Sequence, residues 1–255
     1  MSMADFCQFL ELLGYEARSI ALTYFRSSLD VITKSDETPV TIADREIEER
    51  LRQMIASRFP SHNLVGEEHG GTISSGINWV IDPIDGTKSF ICGIPLFGTL
   101  VAVLRDRRPI LGLIEISALR ERWIGHGGYT TFNGEPCSVS QCRRLADARL
   151  CATDQRMFSG NRLAAFELLS QVVRITRFGT DSYGYALLAS GHVDLVVEAD
   201  LKFHDVMALT PVIEGAGGVV TTWSGEPITD DFKGDILAAS TAELHAEAMQ
   251  MLTGR

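Results

Sequence analysis

Apolar residues recur at spacings of three and four in the opening segment. Phe6, Phe9, Leu10, Leu13, Ala17, Ile20, Ala21 and Tyr24 share one face, which predicts an amphipathic helix. Residues 34–39, polar and closed by Pro39, read as a loop. A second helix starts near Thr41, with Ile47, Leu51, Met54 and Ile55 on its apolar side and Pro60 just past its end. Short apolar runs then alternate with turn residues. They predict strands over 63–65, 79–81, 98–104 and 110–116, a solvated turn at 105–109, and a hairpin from 123–124 and 130–132. The first half therefore reads as two helices followed by a mostly antiparallel sheet.

The pattern changes near residue 142. Helices are expected over 161–173, over 182–190 closed by Gly191, and over 206–215. Strands are expected over 172–176, 193–197, 219–222 and 235–239. A last helix opens on Ser240 and Glu243, spaced as a capping box. Alternating strands and helices predict an α/β second lobe. The expected boundary lies in 137–148, giving an α+β lobe over 1–141 and an α/β lobe over 142–255.

Composition narrows the function. The chain has 255 residues, 45% hydrophobic and 22% charged, enough to bury a core. Its net charge of -10 argues against a nucleic-acid partner or an anionic membrane surface, which would call for a basic face. No apolar run approaches a membrane span. The N-terminal segment lacks a basic n-region, so no signal peptide is expected. Five cysteines, an odd count with no CxxC pair, fit reduced thiols and a cytoplasmic location.

The chemistry lies in acids that close apolar segments. Trp79, Val80 and Ile81 lead into Asp82-Pro83-Ile84-Asp85-Gly86-Thr87. Such a turn can bring both carboxylates and the Ile84 carbonyl into one space, a hard-oxygen set suited to Mg²⁺. An ordinary turn with a capping Asp reads equally well. Glu67 and Glu68 follow Gly66 after another strand and also fit a solvated loop. Asp205 precedes an apolar helix as an N-cap would, and Asp44 fits a capping box with Thr41. His69 and His126 read as surface or packing residues.

Taken together and in this order, Gly66-Glu67-Glu68, the DPIDGT hexapeptide and His204-Asp205 resemble the inositol monophosphatase family of Mg²⁺-dependent phosphomonoesterases. The resemblance runs from residues 40–44 to 214–218. It implies a layered αβαβα sugar-phosphatase fold. One position departs from the pattern: His204 replaces the Trp that usually precedes the last metal-binding Asp. The D-x-x-D spacing, with Pro83 inside it, is unlike the DxD of haloacid-dehalogenase-type phosphatases.

The resemblance assigns metal ligation to Glu67, Asp82, Asp85, Asp205 and the Ile84 carbonyl, with two or three Mg²⁺ ions per site, the arrangement of two-metal hydrolysis. Thr87, held by Asp44, would activate the attacking water, with Glu67 sharing in catalysis. Substrate contacts fall to Asp85, Gly86, Thr87, Lys88, Asp181, Glu198 and Asp205. Acids at 181 and 198, with the strings at 85–90, 95–99 and 178–185, resemble the histidinol-phosphatase branch. The expected reaction is hydrolysis of L-histidinol phosphate, a small phosphate monoester, by a homodimer. Asp181 also reads as a helix N-cap. Inositol 1-phosphate hydrolysis is the nearest alternative, and a catalytically silent metal-binding regulatory protein is a more distant one. Asp181 argues against the first, and the Asp44/Thr87 pair against the second.

Overall fold

The computed structural model describes residues 2–27, 31–33, 39–232 and 234–254. The first half contains α1 (Met3–Tyr24), the short pair β1 (Val31–Thr33) and β2 (Pro39–Thr41), α2 (Ile42–Arg58), β3 (Asn63–Gly66), β4 (Ile77–Asp85) and α3 (Thr87–Ile91). Then come β5 (Gly98–Arg105), β6 (Arg108–Ile116), β7 (Glu121–His126), β8 (Tyr129–Phe132) and β9 (Glu135–Pro136). The second half runs β10 (Arg149–Ala152), α4 (Gly160–Val172), β11 (Ile175–Phe178), α5 (Ser182–Ala189), β12 (Leu195–Leu201), α6 (Phe203–Met207) and α7 (Leu209–Gly215). It closes with β13 (Val219–Thr221), β14 (Gly234–Ala239) and α8 (Ala242–Thr253).

Side-chain alternation along the strands sorts these elements into layers. On β4 and β5, Trp79, Ile81, Val101 and Val103 pack with Leu10, Leu13, Ile47 and Leu51 of α1 and α2. Val80, Leu100, Ala102 and Leu104 face the other way, into a cluster with Tyr185, Leu188, Val212 and Ile213 of α5 and α7. The second sheet continues the alternation. Val196, Ile236 and Ala238 join that same central cluster, while Leu195, Val197, Leu237 and Ala239 pack with Phe166, Leu169, Leu244 and Ala248 of α4 and α8. The order is helix, sheet, helix, sheet, helix: the expected layered αβαβα fold.

The first sheet has the order β3-β4-β5-β6-β7-β8-β9, with only β3 and β4 parallel among these pairs. The second has the order β11-β10-β12-β14-β13 and is mixed. Among the described residues, no helix is long and apolar enough to cross a membrane, and all five cysteines are free thiols.

Several boundaries differ from the sequence reading. Residues 34–38 of the expected loop lie outside the described residues. Strand β10 was not expected, because its four residues, of which Leu150, Cys151 and Ala152 are buried in succession, carry no alternation to mark them. The strand expected over 172–176 begins at Ile175, since α4 continues through Val172. The expected 206–215 helix begins at Phe203 and divides at Ala208. Pro211, which has no N–H to offer the Met207 carbonyl four residues back, accounts for the division. The last helix is capped by Thr241, whose hydroxyl accepts from Leu244 N at 3.2 Å, rather than by Ser240.

Candidate active site

Asp82 and Asp85 lie three apart, a spacing that places residues of a regular strand on opposite faces. The structure resolves this with a bulge. Asp82 pairs with Leu100 and Asp85 with Gly98, so β4 carries one extra residue here. Pro83 sits inside the bulge, where its missing N–H costs no ladder bond, and Thr99 Oγ1 fixes the Pro83 carbonyl at 2.8 Å. The strand thus continues through the motif instead of ending at Ile81, and both carboxylates line one cleft. Gly86 then turns the chain with φ 76°. A Cβ there would also come within 3.0 Å of Asp181 Cγ.

The cleft, about 250 Å³, is lined by Glu67, Asp82, Ile84, Asp85, Gly86, Thr87, Lys88, Asp181 and Asp205 among the expected residues. It also collects Thr153, Asp200, Lys202 and His204. That volume suits a small ligand. A larger depression of about 480 Å³ lies beside Arg149 and Asp194. There Arg149 and Ser140 already satisfy the acid, so it lacks convergent unmatched chemistry.

Like charge dominates the cleft. Burial, then Glu67, Asp85, Asp205 and Asp44, holds the Asp82 carboxyl well above the usual range. Burial and then Asp181 do the same to Asp85, and burial raises Asp205 against the pull of His204. Asp82 Oδ1 is buried without a hydrogen-bond partner. A cation is the natural relief for such a set. Among the described residues, however, no three His, Cys, Asp or Glu side chains stand together as they would to hold a metal ion. The acids line an open cleft, whose oxygen donors fit a hard divalent ion.

Other expected residues differ in detail. Asp205 is the third residue of α6, not its N-cap, and its Oδ2 accepts from Lys202 N at 2.7 Å. His204 Nε2 lies 3.4 Å from Asp205 Oδ1 and 3.9 Å from Glu67 Oε1. Asp44 forms its capping box, accepting from Thr41 N and Thr41 Oγ1 at 2.8 and 2.6 Å. Burial pushes its carboxyl up to about 6. The expected Thr87–Asp44 hydrogen bond is not made: Thr87 Oγ1 donates to the Ile84 carbonyl at 3.0 Å.

Asp181 occupies the N-cap position of α5 but makes no side-chain cap. Its Oδ2 accepts from Ser89 Oγ at 2.8 Å. Asp85 supplies the cap instead, accepting from Ser182 N at 2.7 Å. Glu198 stands behind the cleft wall. It accepts from Thr153 N at 2.8 Å, Thr153 Oγ1 at 2.5 Å and Tyr185 Oη at 2.8 Å, and burial pushes it up to about 7. Among the residues expected to contact substrate, Glu198 does not itself line the cleft, whereas Thr153, which it holds, does. Sequence reasoning missed Thr153 because it follows the unrecognised β10; a strand placed there would have flagged the residue at its end.

Comparison with known proteins identifies the family. The family model of the inositol monophosphatase family matches residues 3–253. The chain is 44% identical over 242 residues to the bifunctional phosphatase IMPL2, chloroplastic, of Arabidopsis thaliana, covering 90% of this chain and 69% of that one. It is 36% identical to a histidinol-phosphatase of Chlorobaculum parvum, with 89% of each chain covered. An inositol monophosphatase structure from Zymomonas mobilis superposes with a TM-score of 0.91 at 36% identity, covering 99% of each chain. The chain belongs to the inositol monophosphatase family and is a phosphoric monoester hydrolase.

Proposed function

We propose that the chain is a Mg²⁺-dependent histidinol-phosphatase, converting L-histidinol phosphate and water to L-histidinol and phosphate. The observation that carries the substrate assignment is Asp181. Its backbone sits at φ 45°, ψ -144°, a region that costs an L-residue on the order of 1–3 kcal/mol. The carboxylate is not spent on capping its helix, and Ser89 holds it on the cleft wall. An acid fixed in this way suits a leaving group with an ammonium or imidazole N–H. The 36% identical histidinol-phosphatase supports the same assignment.

In this reading Glu67, Asp82, Asp85, Asp205 and the Ile84 carbonyl hold the ions, with the first lobe over 1–141 and Asp205 from the second over 142–255. Bound Mg²⁺ would neutralise the phosphate and acidify water. The chain's own residues position the reaction. Asp44, raised to about 6, is suited to receive a proton near neutral pH. It would do so through Thr87, whose hydroxyl must exchange the Ile84 carbonyl for Asp44. Gly86, Thr87 and Lys88, at the uncapped start of α3, would orient the phosphate oxygens. A bond forms from the water oxygen to phosphorus, the phosphorus–ester oxygen bond breaks, and the alcohol oxygen takes up a proton. Glu198 enters through Thr153, whose hydroxyl proton it accepts.

The test is phosphate release from L-histidinol phosphate in Mg²⁺ and in excess chelator. Release restored by Mg²⁺ after chelation supports the reading, and undiminished release in chelator overturns it.

A further inference from the structure

Glu48 is fully buried, lies four residues beyond Asp44 on the same face of α2, and belongs to none of the motifs above. Its carboxylate reaches the turn that follows β3. Oε2 accepts from Glu68 N at 2.7 Å, and Oε1 accepts from His69 N at 3.1 Å. Arg52, one helical turn on, donates its Nε to Oε1 at 2.8 Å and a second nitrogen to the Gly70 carbonyl. His69 Nδ1 stands 3.3 Å from the same Oε1. The carboxylate therefore grips the backbone immediately after Glu67, while Glu67 N is fixed to the Ile81 carbonyl of β4 at 3.1 Å.

The close fit explains Gly66. A Cβ at that position would lie 2.0 Å from Glu48 Oε1, so a side chain on residue 66 and the grip of Glu48 exclude one another. The glycine of the Gly66-Glu67-Glu68 string thus leaves room for the carboxylate of an acid eighteen residues earlier in the chain.

We propose that Glu48 is the positioning residue for Glu67. It clamps the 66–69 turn so that the Glu67 carboxylate meets Asp82 and Asp205 at a fixed place, and Arg52 locks the clamp. Because α2 carries both Asp44 and Glu48, the same rigid helix sets the proposed water-activating acid and the proposed metal ligand relative to each other. This inference rests on the metal reading of the cleft.

The test is Mg²⁺ binding by calorimetry, alongside circular dichroism and phosphate release, for wild type, Glu48→Gln and Arg52→Met. Outer partners of metal ligands typically change affinity by about 10–100-fold when lost. Glu48→Gln keeps the volume but loses the charge paired with Arg52 and one of its acceptors. It should weaken Mg²⁺ at least about tenfold, with kcat largely recovered at saturating Mg²⁺. Arg52→Met, a milder change in a partly exposed residue, should weaken it in the same direction and serves if Glu48→Gln fails to fold. In a Glu48→Ala background, Gly66→Ala should be far less damaging than in wild type, because the clash is gone. Folded variants with wild-type Mg²⁺ affinity would reduce Glu48 to a scaffold role and overturn the proposal. Absence of Mg²⁺ binding by wild type itself would overturn the metal reading, and the inference with it.

Discussion

Asp85 Oδ2 accepts a hydrogen bond from the backbone N–H of Ser182 at 2.7 Å, across 97 positions of sequence. One carboxylate thus joins the bulged end of β4 to the start of α5, and the proposed metal site to the proposed leaving-group wall. The contact also explains why Asp181 is available: another acid caps its helix.

Asp85→Asn separates these two roles. The amide oxygen can still accept from Ser182, so the fold should hold. The lost charge relieves a carboxyl that burial and Asp181 push well above its usual range. Thermal denaturation at pH 8 should show the metal-free variant at least as stable as wild type, and much less stabilised by added Mg²⁺. A variant that is weaker without metal yet equally stabilised by Mg²⁺ would contradict the ligand role.

Thr87→Ala tests the proposed water-activating pair. Loss of positioned proton transfer is typically felt at about 10²-fold or more, so kcat should fall by that factor with circular dichroism unchanged. Thr87 donates to the Ile84 carbonyl, a local bond across three residues, so its hydroxyl carries little of the fold. Wild-type kcat in this variant would remove Thr87 from the mechanism.

Glu198 gives a pH signature. Burial moves it from an ordinary 4.5 up to about 7. A carboxyl raised on folding contributes stability that is fully present below about 4.5 and lost as pH rises through about 7. Glu198→Gln keeps an acceptor for Thr153 but does not ionise. Its melting temperature relative to wild type should therefore climb between pH 5 and pH 8 in metal-free protein. A difference independent of pH would contradict a raised Glu198.

What was legible in the sequence follows from the range of each signal. The helix faces of α1 and α2 and the run Trp79–Ile81 depend on local periodicity, and they appear where expected. DPIDGT marked the cleft, but the bulge was hidden: whether Asp82 and Asp85 share a face depends on their pairing with Leu100 and Gly98. Asp181, expected to contact substrate, could also read as a cap because nothing local shows that Asp85 takes that role. Glu48 carried no signal in the sequence, since the backbone it holds, at Glu68 and His69, lies twenty and twenty-one residues away. Asp44 and Thr87 were expected to pair, yet each has a nearer partner, Thr41 and the Ile84 carbonyl.

The central claim is the choice of leaving group, and the most direct measurement is the ratio of kcat/KM for L-histidinol phosphate to that for inositol 1-phosphate in saturating Mg²⁺, for wild type and Asp181→Ala. A charge-assisted hydrogen bond contributes about 1.5–3 kcal/mol, or roughly 10–150-fold in rate. The account predicts a wild-type ratio well above one that Asp181→Ala lowers by about that factor, almost wholly through histidinol phosphate. A wild-type ratio below one, or equal losses on both substrates, would contradict it.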